Sequence, residues 1–267
     1  MIPMAIRSVG LEKKLQAVME QAVENCDVAG VNLLVEKEGE EVCYCQAGMA
    51  DRERERPMDR DTIFRLYSQT KPITAAAAMI LMERGRLDLC QPVADFLPSF
   101  SKQTYFAGEE GIGQSAAGGA GHKTDLQGGF LSKGEKPVVQ PMRVYDLLRM
   151  TSGMVYPDAM TASGRQAAAV FEEMDRRLFS ENAMTTREVA DKLAGSTLAF
   201  APGSSGRYGT SADVLGAVVE VASGMKFGEF LEKELFGPLG MKDTAFWVPE
   251  DKQSRLAAAY EEVVEKG

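Results

Sequence analysis

The sequence predicts a mixed α/β protein in which a short run of strands near the N-terminus gives way to a long succession of helices. Three observations carry this. Residues 30–35 and 41–46 read as strands separated by a Glu-Gly turn, a hairpin pattern. From Ser68 onward, apolar residues recur at helical spacing in several separate segments. The chain has 267 residues, 45% of them hydrophobic, enough to bury a large core in one big domain or two subdomains.

The elements follow in order. Residues 11–28 form an amphipathic helix, with Leu15, Val18, Met19 and Val23 apolar among charges. The hairpin comes next, and on its second strand Cys43 and Cys45, two apart, share one face. Residues 51–61 are dense in both charge signs and read as a solvated connection. A buried helix follows Ser68: Ile73, Ala77, Ile80 and Leu81 share a face, four alanines favour helix, and Gly85 stops it. Ser68 takes the N-cap place, and Pro72 is tolerated in the first turn. Residues 88–100 read as irregular, punctuated by Pro92 and Pro98.

Residues 106–136 are Gly-rich, short of large apolar side chains, and hold the chain's single histidine, His122. This stretch reads as a long, mobile surface insertion. Helices are expected over 144–150, 165–179 and 186–193. Another follows Thr210, where Thr210 and Asp213 have capping-box spacing ahead of Leu215, Val218, Val219 and Ala222. Residues 226–236 give a last helix, and residues 245–248 a strand.

Composition excludes several function classes. Net charge is −9 with no basic run, which argues against nucleic acid as a partner. No apolar signal-peptide core opens the chain and no stretch reaches transmembrane length, so a cytoplasmic location without membrane contact is expected. The four cysteines, Cys26, Cys43, Cys45 and Cys90, are then read as free thiols. Neither CxxC nor HExxH occurs, and no metal or other cofactor is expected. With a lone histidine in a polar loop and no G-x-S-x-G, a Ser-His-Asp triad is not the chemistry here.

What remains is serine beside lysine. Residues at i and i+3 share a helix face, so Ser68 and Lys71 meet as a nucleophile and a candidate base. Fifteen serines and fourteen lysines give roughly one S-x-x-K by chance, and three occur: Ser68/Lys71, Ser99/Lys102 and Ser223/Lys226. Only Ser68 opens an apolar helix. Lys71 also faces the positive end of the helix dipole, a poor place for an ordinary surface cation. Tyr208 stands just ahead of the later helix that begins near Thr210.

These stretches agree in order with a known pattern. Ser68-x-x-Lys71, then Leu147-Leu148-Arg149-Met150-Thr151-Ser152-Gly153, then Pro202-Gly203 leading to Tyr208, resemble the serine β-lactamase-like superfamily. That superfamily includes class C β-lactamases, D-alanyl-D-alanine peptidases and family VIII carboxylesterases. Glu83-Arg84-Gly85-Arg86-Leu87-Asp88 and Pro238-Leu239-Gly240-Met241-Lys242-Asp243-Thr244 extend the resemblance.

The resemblance implies a β-lactamase/transpeptidase-like α/β fold: an antiparallel sheet flanked by helices, plus a helical subdomain. The sheet subdomain would draw on residues 1–66 and 237–267, and the helical subdomain on 67–236, with the Gly-rich insertion inside it. Ser68 would be the nucleophile, Lys71 its neighbouring base, Tyr208 a second acid/base group, and Tyr67 and Thr210 substrate-binding residues. A small ester or amide is the implied substrate.

Two departures narrow this. Thr210 replaces the asparagine of Y-x-N, and Met150 replaces a histidine common before Thr-Ser-Gly. Loss of that asparagine, the esterase-like run after Tyr208 and the lack of a signal-peptide core favour a carboxylesterase over a β-lactamase or peptidase; a non-catalytic ligand-binding member of the fold is the other alternative. The relatives' third motif, K-T-G, H-x-G or W-G-G on a late strand, has no counterpart after Tyr208. The expectation is an incomplete sheet, closed by a further C-terminal segment or by another chain.

Overall fold

The computed structural model describes residues 9–107 and 135–261. The chain divides into two compact units, one collecting residues up to Tyr67 and from Asp243 onward, the other running from Ser68 to Lys242. The observed mix of helices and small antiparallel sheets is the expected α/β class.

In the first unit, helix α1 (Val9–Glu24) precedes an antiparallel hairpin of β1 (Gly30–Lys37) and β2 (Glu40–Asp51), and a short β3 (Arg56–Pro57) pairs with β2. Cys43 and Cys45 are buried on one face of β2, and Cys45 donates to the Glu12 carbonyl of α1 at 3.7 Å. The shared face is thus the one that α1 covers. Residues 51–61 differ from a plain solvated connection: Asp51 is buried and accepts the Arg54 N–H, which turns the chain into β3. A second segment lies alongside Ile63. The Ile63 N–H donates to the Arg255 carbonyl at 2.9 Å, and the Ala257 N–H to the Ile63 carbonyl at 2.8 Å.

No strand forms over residues 245–248; residues 245–247 are bends, and Phe246 and Trp247 are 60% and 71% exposed there. Aromatic and β-branched residues favour strands because they pack on a pleated surface, so their presence alone does not make a strand.

The second unit is built on helices. Helix α2 (Thr70–Glu83) buries Thr74, Ala77, Ala78 and Leu81. Its end is a Schellman arrangement: Gly85, at φ +65°, donates to Met82 O while Arg86 N–H donates to Leu81 O. Residues 88–100 carry two 3-10 turns, at Val93–Asp95 and Pro98–Lys102, that place Val93, Leu97 and Phe100 in the core. β4 (Thr104–Phe106) and β5 (Glu135–Pro137) pair antiparallel, Phe106 opposite Glu135. The edges of the expected insertion are therefore strand, while its body, residues 108–134 with His122, lies outside the described residues.

Helices α3 (Val144–Leu148), α4 (Ala162–Arg177), α5 (Thr186–Ala194), α6 (Ser211–Ser223) and α7 (Phe227–Leu231) follow. α6 is the hub, packed against α2, α3, α5 and α7. Val214, Leu215, Ala217, Val218, Val219 and Ala222 are all buried, the pattern of a helix apolar nearly all round. The helix expected over 226–236 is α7 followed by a π turn, Glu232–Phe236. No helix among the described residues is long and apolar enough to cross a membrane.

Candidate active site

Two of the packed helices, α2 and α6, bring their N-terminal approaches together. Ser68 does not cap α2, as the sequence suggested; it lies in a 3-10 turn (Tyr67–Gln69), and Gln69 takes the N-cap position without a side-chain bond. The extra tight turn leaves the Ser68 hydroxyl exposed and free of capping duty. Tyr67, the last residue of the first unit, is held at φ +45°, a left-handed conformation that costs a non-glycine residue about 1 kcal/mol. It is 73% exposed.

Three of the expected residues meet. Ser68 Oγ lies 2.6 Å from the Tyr208 hydroxyl, and Lys71 Nζ donates to Ser68 Oγ at 3.3 Å. Lys71 Nζ also stands 4.6 Å from the centroid of the Tyr208 ring and 5.4 Å from that of Tyr156. The Tyr156 and Tyr208 rings are tilted at 5.6 Å, and Tyr156 meets Phe171 edge-on at 6.2 Å. Nothing local in the sequence sets Tyr156 apart from the loop around it.

The electrostatics link the lysine to the tyrosines. Burial alone would lower the Lys71 ammonium, but hydrogen bonding to Tyr208 and Tyr156 outweighs it and holds Lys71 above its ordinary value. Hydrogen bonding from Lys71, then from Ser68, holds the Tyr208 phenol below its ordinary value. Two helix N-termini nearby add positive potential of the same sense. The favoured arrangement is a protonated Lys71 beside an acidified Tyr208. Asp213, on the first turn of α6, is exposed along one edge, yet desolvation keeps its carboxyl above the ordinary range, with its own N–H and Lys71 opposing.

Thr210 lies elsewhere. It is wholly buried at the N-cap of α6, its Oγ1 makes no hydrogen bond among the described residues, and no capping box with Asp213 forms. The side chain instead borders a small cavity lined by Met154, Val155, Ser163, Leu193, Thr197 and Leu198. The two other S-x-x-K serines are already occupied. Ser99 Oγ donates to Asp191 at 2.6 Å, and Ser223 Oγ accepts the Met225 N–H at the end of α6. No group of three or more His, Cys, Asp or Glu side chains among the described residues is placed to hold a metal ion.

Tyr208 is held by its neighbours in the chain. Met150, at φ +58°, turns its carbonyl to accept the Arg207 N–H at 3.0 Å. Gly209 packs so close to the 154–155 backbone that a Cβ would stand 2.2 Å from the Met154 carbonyl oxygen. Behind both, Ser152 Oγ and Ser211 Oγ share a buried bond of 2.8 Å.

The sequence as a whole has a match. A family model described as Beta-lactamase fits residues 15–266. The chain belongs to that family. Among family relatives, esterase EstB of Burkholderia gladioli is 33% identical over 96% of this chain and 56% of its own length. The lovastatin esterase of Penicillium rubens is 29% identical over 75% of this chain and 44% of its own. The solved structure of EstCE1, described as a hydrolase with promiscuous acyltransferase activity, superposes with a TM-score of 0.74 at 28% identity, over 95% of this chain and 57% of that one. A class C beta lactamase, at TM-score 0.64 and 18% identity, shares the fold, over 93% of this chain and 55% of that one. The chain spans about half the length of the curated relatives it matches.

Proposed function

We propose that this protein is a serine hydrolase that forms an acyl-enzyme on Ser68, and that its substrates are small carboxylic esters. The observation that carries this is the Ser68 hydroxyl held 2.6 Å from Tyr208 and 3.3 Å from Lys71. A serine hydroxyl is a weak nucleophile and needs a base within hydrogen-bond reach. The raised Lys71 and lowered Tyr208 favour Tyr208 for that role, with Lys71 as the cation that stabilises its phenolate.

In this reading Tyr208 takes the Ser68 proton as Oγ bonds to the ester carbonyl carbon. The tetrahedral adduct collapses, the C–O bond to the alcohol breaks, and Tyr208 returns the proton to the departing alkoxide. Water then repeats the sequence on the acyl-enzyme, giving the acid and free Ser68. The Ser68 N–H is one oxyanion donor. Preference for esters over β-lactams rests on Thr210: a buried hydroxyl cannot replace the amide that β-lactam enzymes offer to a substrate side chain. The likeness to EstB, an esterase, and to EstCE1, a hydrolase, supports the same reading.

Reaction with a fluorophosphonate probe followed by peptide mass mapping is expected to place the label on Ser68. Ser68→Ala should abolish labelling and reduce p-nitrophenyl acetate turnover by on the order of a thousandfold or more. The specificity constant for that ester should exceed the one for a chromogenic cephalosporin. Label on Ser99 or Ser223 would overturn the assignment of the nucleophile, and the opposite substrate ranking would overturn the ester preference.

A further inference from the structure

The loop that carries Tyr156 and the loop that carries Tyr208 are joined by one ion pair. Arg207 Nη2 donates to Asp158 Oδ2 at 3.1 Å, with side-chain exposures of only 23% and 25%. Arg207 is the residue before Tyr208, and Asp158 is two residues after Tyr156.

Asp158 is itself fixed. Its Oδ1 accepts the N–H groups of Met160 and Thr161 at 2.9 and 2.6 Å, and its Oδ2 accepts the Thr161 hydroxyl at 3.0 Å. Thr161 caps α4 by accepting the Gly164 N–H at 2.9 Å. Gly164 comes so close that a Cβ there would lie 2.3 Å from the Asp158 carboxyl. The carboxylate is thus anchored to the start of a four-turn helix. An exposed ion pair contributes little because two mobile side chains must be ordered. Here one partner is already immobile, so the pair transmits position.

We propose that the Arg207–Asp158 pair is the positioning device of the site, holding the Tyr208 phenol against Ser68 and Lys71 and the Tyr156 ring beside them. This rests on the hydrolase reading for what the position serves. A misplacement of about 1 Å at a reacting group costs on the order of a hundredfold in rate, so a pair that never touches substrate can still govern turnover.

The Tyr208 phenol itself reports the effect, because its acidity depends on Lys71 and Ser68 being in place; Asp213 opposes at longer range. The protein is labelled with ¹³C at the tyrosine Cζ, Tyr208 and Tyr156 are assigned from Tyr208→Phe and Tyr156→Phe, and the resonances are followed with pH. Arg207→Met and Asp158→Asn are each expected to move the Tyr208 midpoint upward, toward an ordinary phenol. The double variant should move it no further than the stronger single one, and Arg207→Lys should recover most of the wild-type value.

The sign separates position from charge. Simple electrostatics would raise the midpoint on loss of the arginine and lower it on loss of the aspartate, whereas misplacement raises it in both. Turnover of p-nitrophenyl acetate should fall about tenfold to a hundredfold in kcat, with KM within about threefold. An unchanged or lowered midpoint in Asp158→Asn, or additive shifts in the double variant, would overturn the proposal. If Arg207→Met does not fold, Asp158→Asn and Arg207→Lys decide. The titration needs no turnover: absence of probe labelling in the wild type would sink the hydrolase reading while the midpoints still judge the pair.

Discussion

At the scale of single residues, the proposed chemistry turns on where one cation stands between two phenols. Lys71 lies closer to the Tyr208 ring than to that of Tyr156, and Tyr208 is the partner whose oxygen reaches Ser68. In the proposed mechanism the reactive form has Tyr208 ionised and Lys71 protonated. Because hydrogen bonding from Lys71 lowers Tyr208 below its ordinary 10.0, kcat/KM should rise with pH through a midpoint below that value. Lys71, held above its ordinary 10.5 despite the opposing pull of burial, should stay charged until higher pH still. Lys71→Met removes the cation, so the rising limb should move upward toward the ordinary phenol range. Tyr208→Phe should lower kcat by about a hundredfold to ten-thousandfold, the usual contribution of a placed acid–base group. Since Tyr208 is 48% exposed, the melting temperature should hardly change. A rising limb that stays where it is in Lys71→Met would show that Lys71 does not set the acidity of Tyr208.

At the scale of elements, the active geometry depends on where two loops pass one another. Gly209→Ala would put a methyl carbon 2.2 Å from the Met154 carbonyl oxygen and 2.8 Å from Val155 Cα, both backbone atoms that cannot swing aside. Such overpacking costs about 1–3 kcal/mol, and the displaced neighbour is Tyr208, so turnover should drop more than tenfold as well. Gly85→Ala is the matched control. Open space surrounds that position and only its left-handed φ is violated, so a loss of about 1 kcal/mol with unchanged kcat is expected. Thermal melts and ester turnover on the two variants provide the comparison. The same elements explain what the sequence could reveal. α2 and α6 are legible because alanine, valine and leucine recur on faces that are in fact buried. The Ser68–Lys71 pair is legible because three residues span one turn. The Thr210–Asp213 capping box misleads because spacing alone does not say that the threonine turns inward. Tyr156 and the Arg207–Asp158 pair are invisible locally: partners 49 residues apart are joined by packing, which no short window contains.

At the scale of the whole molecule, residues distant in sequence assemble the first unit, and an ionic cluster helps to hold the later segment in place. Hydrogen bonds from Arg255 and Lys252 lower Asp243 to about 2. Arg255 donates to it at 2.6 Å while its Nε–H donates to the Asp61 carbonyl at 2.8 Å, so the cluster ties the 243–255 segment to the turn before Ile63. A depressed carboxyl stabilises the fold fully above its unfolded value and loses that contribution as pH falls through the folded one. The stability difference between wild type and Asp243→Asn should therefore be constant above about pH 4 and shrink between about pH 4 and 2. Chemical denaturation at stepped pH measures it, and a gap that persists at pH 2 would exclude the cluster as its source. A different consequence follows from the pairing of β4 with β5. Paired strands stand about 4.5–5.5 Å apart whatever chain joins them, so Phe106 and Glu135 form a fixed gateway. A foreign domain whose own ends lie close together could be spliced in at that gateway, carried by the protein as cargo, without asking β4 or β5 to move.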